Sequence, residues 1–142
     1  MDARMTITKG EQETHDFAIA FSKTLPSFAI ITLEGELGVG KTCFVRGLCD
    51  GLGGDPRQVS SPTFTIMQEY NVANDRRLVH IDAYRLSGEE ELESIGWDEL
   101  LLEENITIAV EWPSRIKNAI PKTSLAIEMN HVNLNTREIF SI

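Results

Sequence analysis

The sequence predicts an α/β fold with three layers, in which a mostly parallel central sheet carries antiparallel hairpin additions. Two observations predict it. The runs 28–33 and 106–110 are short and apolar on both faces, which is typical of parallel strands that are covered on both sides. Elsewhere apolar residues recur at helical spacing, as in 43–52. A length of 142 residues favours a single domain over 1–142.

The remaining elements are predicted from caps, turns and alternation. In chain order they are a short edge strand at 5–7; a helix that begins at a capping box of Thr8 and Glu11 and ends before Pro26; a hairpin of 63–70 and 77–83; a helical segment capped by Ser87 and Glu90; and a closing hairpin of 124–129 and 137–142.

Composition limits the possible functions. The formal net charge of −9 argues against a chain that binds nucleic acid alone, since phosphate contacts dominate that affinity. No apolar run reaches the ~20 residues that span a membrane, and no signal-like segment follows Met1. We therefore expect a cytoplasmic protein without membrane contact. Cys43 and Cys49 are predicted to be small buried thiols in a reducing compartment.

Between the first buried strand and the helix lies a glycine-rich loop (35–42) with the pattern G-x-x-x-x-G-K-[ST]. Gly35, Gly38 and Gly40 allow the backbone to curl around a phosphate, so that its N–H groups and the helix N-terminus face the anion. Lys41 is predicted to lie at the β- and γ-phosphates, and the Thr42 hydroxyl to bind Mg²⁺. The alternative is a glycine-rich turn with a chance Lys-Thr pair. The pattern in this context predicts binding of a nucleoside triphosphate.

Two acids end buried strands in matching positions. Asp82 closes 78–81, and Glu111 closes 106–110. Ligands of open α/β sheets bind beyond the carboxyl ends of the strands, so both acids are candidates for Mg²⁺ binding and for activation of water. Which acid has which role stays open, and either could be only a polar strand end. Thr63 is a candidate sensor of the γ-phosphate, or simply a strand-initiating residue.

Other candidate residues give weaker signals. No N-K-x-D sequence, which would recognise guanine, occurs in the chain, so adenine is favoured. His80 lies inside an apolar strand and is predicted to be a core or interface histidine rather than a base. Trp112 could stack near a nucleotide or cover the edge of the sheet.

Taken together, the motifs resemble those of the TsaE family, whose members are small ATPases of bacterial tRNA threonylcarbamoyladenosine synthesis. They are, in order, the glycine-rich loop, Ser61-Pro62-Thr63-Phe64, His80-Ile81-Asp82-Ala83-Tyr84-Arg85-Leu86, the acidic run 89–93 and Glu111-Trp112-Pro113. The loop alone is common, but the combination with S-P-T-F, H-x-D-x-Y-R-L and E-W-P is highly specific.

The resemblance implies a P-loop NTPase-like fold, ATP and Mg²⁺ as cofactors, and a weak ATPase activity. It implies association with a threonylcarbamoyl transferase heterodimer of the TsaB and TsaD type, which acts on adenosine 37 of tRNAs that read codons beginning with A. The tRNA would be reached only through that complex. The implied roles are Mg²⁺ binding for Thr42 and Glu111, a second acid at Asp82, a phosphate cradle of Val39, Gly40, Lys41, Thr42 and Cys43, a switch at 61–63, a nucleotide contact for Arg137, and a place near the base for Glu11.

Two other functions fit part of the pattern. A small-molecule kinase can carry the same loop, but it usually needs an arginine-bearing lid, and the only arginines after Arg85 are Arg115 and Arg137. A regulatory module could instead bind ATP for shape, with hydrolysis dispensable.

Overall fold

The computed structural model describes residues 4–36, 38–60 and 66–141, and within them the chain forms one mixed sheet of seven strands. The strands are β1 (Arg4–Lys9), β2 (Phe28–Glu34), β3 (Met67–Asn71), β4 (Arg77–Asp82), β5 (Ile106–Glu111), β6 (Leu125–His131) and β7 (Thr136–Ser141). The α-helices of the same ranges are α1 (Gly10–Ser22), α2 (Lys41–Gly51) and α3 (Trp97–Leu100).

The order of strands across the sheet is β1-β7-β6-β2-β5-β4-β3. β2 pairs in parallel with β5 and β6, and β5 pairs in parallel with β4. The remaining pairs, β3 with β4, β6 with β7 and β1 with β7, are antiparallel. The α/β fold and both hairpins are therefore confirmed. The parallel arrangement holds only for the four central strands, because the two hairpins and the pairing of β1 with β7 add antiparallel strands at both edges of the sheet.

Strands β2 and β5 lie in the centre because both of their faces are apolar. Every residue of β5 is buried, and so is β2 from Ala29 to Leu33. Alternate side chains enter different cores: Ile31 packs with α1 and α2, whereas Ile30 lies in the core on the other side of the sheet. Full burial of such a side chain stabilises a fold by about 1.5–3 kcal/mol.

Helices α1 and α2 cover one face of the sheet. The Phe44 ring of α2 has its centroid 6.1 Å from that of Phe17 and 5.8 Å from that of Phe21, both in α1. The opposite face is covered by α3 and by short 3₁₀ segments, among them Glu89–Ile95 and Pro113–Ala119. The sheet and its two covered faces form the three predicted layers.

Both predicted helix caps are wrong. Thr8 still belongs to β1, where it pairs with Arg137, so it cannot cap a helix; its hydroxyl bonds to that of Thr14 instead. Helix α1 begins after Lys9, whose N–H donates to the side chain of Glu13 at 2.9 Å rather than to Glu11.

The second predicted cap fails because the chain enters the next segment through Gly88, which has no side chain. Glu89–Ile95 is a 3₁₀ helix without a side-chain cap, and the Ser87 hydroxyl donates to Glu91 instead of closing a box with Glu90.

Other predictions can be compared with the described residues. Cys43 and Cys49 are buried free thiols, as expected. No helix in the described ranges is long and apolar enough to cross a membrane. The hairpin strand predicted from residue 63 begins at Met67 among the described residues, because Ile66 forms a bend, and residues 61–65 lie outside the described ranges.

Candidate functional site

The glycine-rich loop connects β2 to α2, and its glycines occupy positions that a side chain would disturb. Gly38 and Gly40 have φ angles of 79° and 113°, in the region that favours glycine. A Cβ at Gly35 would lie 2.7 Å from the carbonyl oxygen of Met129 in β6. A loop of this kind, followed at once by a helix, directs backbone N–H groups toward one point and so suits an anion.

Lys41, the first residue of α2, is held at this loop. Only 5% of the residue is exposed, and its Nζ donates to the carbonyl oxygen of Gly35 at 2.5 Å. The same ammonium lies 3.9 Å from the centroid of the Trp112 ring, a cation–π contact. Burial lowers the pKa of Lys41, and the charge of Glu111 opposes that shift. A buried ammonium thus lies beside the loop and a carboxylate.

Strand register brings the two predicted acids side by side. Asp82 and Glu111 are the last residues of β4 and β5, and the parallel pairing of these strands places them opposite each other. Both line a cavity of about 380 Å³ that Lys41 and Thr42 also line. The pairing of β4 with β5 therefore assembles the acids with the Lys-Thr pair of the loop.

The surroundings of the two acids differ. The Asp82 carboxylate accepts a hydrogen bond from the N–H of Tyr84 at 3.0 Å. Burial raises the pKa of Asp82; the bond from Tyr84 lowers it, and the charge of Glu111 raises it further. Glu111 is 6% exposed, and its Oε2 accepts a hydrogen bond from Nε2 of the fully buried His80 at 2.5 Å.

A second cavity, of about 270 Å³, shares part of its lining with the first, including Glu11 and Cys43. Arg137 and Leu134 of the closing hairpin line it as well. The Nε of Arg137 donates to the carbonyl oxygen of Val39 at 2.9 Å, so this side chain ties the hairpin to the glycine-rich loop. The Sγ of Cys43 donates to the carbonyl oxygen of Glu11, and burial raises the pKa of this thiol.

The two cavities bring together most of the predicted site residues. Those that line one or both are Glu11, Gly38, Val39, Gly40, Lys41, Thr42, Cys43, Asp82, Glu111 and Arg137. Gly35 contributes its carbonyl oxygen to Lys41. Thr63 lies outside the described residues.

The sequence that folds into this site matches a family model almost from end to end. The model, described as "Threonylcarbamoyl adenosine biosynthesis protein TsaE", matches residues 8–139. The chain belongs to the TsaE family. The matched range includes every residue that lines the two cavities, so the family assignment covers the site as well as the fold.

Individual members of the TsaE family are similar over most of their length. The tRNA threonylcarbamoyladenosine biosynthesis protein TsaE of Bacillus subtilis is 40% identical over 124 residues, which cover 84% of this chain and 75% of that protein. The protein of the same name from Rickettsia bellii is 37% identical over 124 residues, 87% of this chain and 84% of that one. The crystal structure of Bacillus subtilis YdiB superimposes with a TM-score of 0.77 at 29% identity, over 99% of this chain and 84% of that one.

Two residues of this TsaE family member have site contacts that the sequence does not reveal. His80 is buried in the core, as expected, but it also binds Glu111. Trp112 has a φ of 58°, unusual for a side-chain-bearing residue, and its ring contacts both Lys41 and Tyr84. The signal for His80 is its place two residues before Asp82, which puts both on the same side of β4.

Proposed function

We propose that the chain is a Mg²⁺-dependent subunit that binds and hydrolyses ATP in support of a threonylcarbamoyl transferase heterodimer of the TsaB and TsaD type. That enzyme would form N6-threonylcarbamoyladenosine at position 37 of tRNAs that read codons beginning with A. The observation that carries the proposal is the convergence of Lys41 and Thr42 with Asp82 and Glu111 at one cavity. The names of the relatives support the biological role.

Phosphate binding is assigned to the glycine-rich loop and the start of α2. The N–H groups of the loop and of the first turn would donate to phosphate oxygens. The Lys41 ammonium already lies at the loop, where it donates to the carbonyl oxygen of Gly35. From this position it could contact the β- and γ-phosphates of a nucleotide bound in the loop. Its contact with Trp112 limits the positions that the ammonium can take.

The donor set fits Mg²⁺. Among the described residues no three His, Cys, Asp or Glu side chains are grouped to hold a metal ion by themselves. The donors at the cavity are the Thr42 hydroxyl and the carboxylates of Asp82 and Glu111, all hard oxygen ligands. Mg²⁺ usually takes one or two protein carboxylates and completes its shell with phosphate and water oxygens. When bound, it would supply the positive charge that phosphoryl transfer needs.

The different surroundings of the acids suggest different roles. Glu111 has one oxygen bonded to His80, which leaves the other for the metal. Asp82 accepts from the N–H of Tyr84 through one oxygen, and we assign its other oxygen to a water molecule or to the metal.

The smaller cavity is assigned to the base and sugar of the nucleotide. Glu11 and Arg137 line it from opposite parts of the chain, together with Leu134, which is 87% exposed and could cover a base. The net charge of −9 disfavours direct contact with tRNA. The chain would reach tRNA through the heterodimer.

The test is the ATPase rate of the purified chain, measured alone, with the transferase heterodimer, and with heterodimer and tRNA. We expect slow hydrolysis by the chain alone, a change of rate in the complex, and repeated turnover of tRNA only when the chain and ATP are present. Phosphate transfer to a small acceptor at rates well above hydrolysis would favour a kinase. Repeated turnover by the heterodimer without the chain would contradict the proposed role.

A further inference from the structure

His80 is an unusual residue for the middle of a buried strand. It has no exposed surface, and the neighbouring positions of β4, Val79 and Ile81, are apolar and buried. A buried imidazole that only filled space would be less favourable there than an aliphatic side chain, because its two nitrogens lose their contact with water. One of them has a partner: Nε2 lies 2.5 Å from Oε2 of Glu111.

The contact follows from the register of β4 and β5. His80 pairs with Ala109, two residues before Glu111, so the imidazole reaches diagonally along the same face of the sheet. An ionised carboxylate only accepts hydrogen bonds, so His80 donates through its Nε2–H. Glu111 is almost as deeply buried, with 8% of its side chain exposed.

The other side of the imidazole is packed by β3. The ring of Tyr70 has its centroid 6.4 Å from that of His80, and Tyr70 is itself buried. Gln68 lies opposite His80 in the pairing of β3 with β4. These neighbours restrict the orientation of the ring, and therefore the position of the one Glu111 oxygen that it holds.

We propose that His80 is a positioning residue for Glu111: it holds Oε2 within the sheet and leaves Oε1 for the Mg²⁺–nucleotide complex. This rests on the proposed function. Groups that orient metal-binding carboxylates are part of the metal site in energetic terms, and their loss typically weakens metal affinity about 10- to 100-fold.

Two substitutions separate positioning from packing. His80→Gln keeps an N–H donor at a similar distance from the backbone as Nε2, whereas His80→Leu fills the space without a donor. If His80 only packed the core, Leu would serve at least as well as Gln. If it positions Glu111, Gln retains most of the Mg²⁺ affinity and Leu does not.

The experiment is calorimetry of ADP binding, first in EDTA and then across a Mg²⁺ titration, with circular dichroism to verify folding. We expect His80→Leu to bind ADP normally in EDTA, but to need about 10- to 100-fold more Mg²⁺ for the metal-dependent gain in affinity. His80→Gln should stay close to the wild type. Should His80→Leu not fold, His80→Asn replaces it, since its amide is one methylene too short to reach Glu111.

The outcomes distinguish the two proposals. A wild-type chain that binds no ADP in either condition would overturn the proposed function. A wild type with normal Mg²⁺-dependent binding, matched by His80→Leu or by His80→Asn, would overturn the positioning role alone.

Discussion

Asp82 lies at the candidate site, and its ionised form weakens the fold because burial disfavours the charge. Burial at the end of β4 raises its pKa from the ordinary value of 3.8. The folded chain therefore holds this proton more tightly than the unfolded chain does. The contribution of Asp82 to stability is complete below the unfolded pKa and is lost as the pH rises through the higher folded pKa.

Asp82→Asn should remove this loss. Asn keeps an oxygen that can accept from the N–H of Tyr84, but it carries no charge. We expect the free energy of unfolding of the variant, relative to the wild type, to increase from about pH 4 to pH 7 in urea titrations. Asp75→Asn, at an exposed turn, is the control for the same chemical change away from the buried strand end. A difference for Asp82→Asn that is constant or falls with pH would contradict this account.

Some site residues could be predicted from the sequence and others could not. Lys41 and Thr42 are fixed by a local pattern whose geometry needs glycine at particular positions, so the sequence suffices. The contact of His80 with Glu111 depends on which strands pair and in which register, which local patterns do not specify. Trp112 lies at Lys41 only because its backbone turns to a positive φ after β5.

The packing of α2 on α1 depends on Gly47. Ala usually favours a helix over Gly by about 1 kcal/mol. At this position a Cβ would lie 2.5 Å from that of Ala18 and 2.6 Å from the carbonyl oxygen of His15. We expect the clash to exceed the gain in propensity, so Gly47→Ala should lower the free energy of unfolding by roughly 1–3 kcal/mol in urea titrations.

Asp16→Ala, in α1, is the matched control for this prediction. Asp16 is exposed, and its carboxylate accepts a hydrogen bond from the side-chain amide of Gln12. Its removal should change stability by no more than about 0.5 kcal/mol. A Gly47→Ala chain as stable as the wild type would mean that the helices separate easily, and that their close packing is not required.

Strands and hairpins were easier to predict than helix starts. An apolar run such as 106–110 is stable only as a strand that is buried on both faces. Hairpins are specified by local alternation of apolar and polar residues and by the turn between the strands. A helix cap depends on a single residue that must not belong to the preceding strand. Thr8 does belong to it, because β1 pairs with β7 through Thr8 and Lys9.

The order of the strands could not be predicted, because β6 reaches β2 from nearly 100 residues further along the chain. The pairing of β1 with β7 joins residues that lie even further apart in the sequence. This topology places the closing hairpin beside the glycine-rich loop, where Arg137 binds Val39. The closing hairpin therefore contributes to the candidate site, although local sequence patterns do not connect the two.

If the chain acts as proposed, we predict that the transferase heterodimer binds its ATP-bound form more tightly than its ADP-bound form. Thr63, which lies outside the described residues, is the proposed sensor of the γ-phosphate, and hydrolysis would remove the group that it senses. The coupling should be about 1–3 kcal/mol, or roughly 5- to 150-fold in affinity. Calorimetry with ADP and with a non-hydrolysable ATP analogue measures it.

Thr63→Ala should reduce that ratio while nucleotide binding remains. Thr123→Ala, at an exposed position, should leave the ratio unchanged. Equal affinities of the wild type in the two nucleotide states would remove the switch and leave a subunit that binds nucleotide without signalling its state.

The most direct test of the site is a calorimetric titration of ATP with Mg²⁺ into the wild-type chain, Lys41→Ala and Lys122→Ala. Each variant loses one lysine, but Lys41 is buried at the glycine-rich loop and Lys122 is exposed. We predict that the wild type and Lys122→Ala bind ATP alike, and that Lys41→Ala loses most of the affinity while its circular dichroism stays native. A wild type that binds no ATP, or a Lys41→Ala chain that binds as the wild type does, would contradict the account.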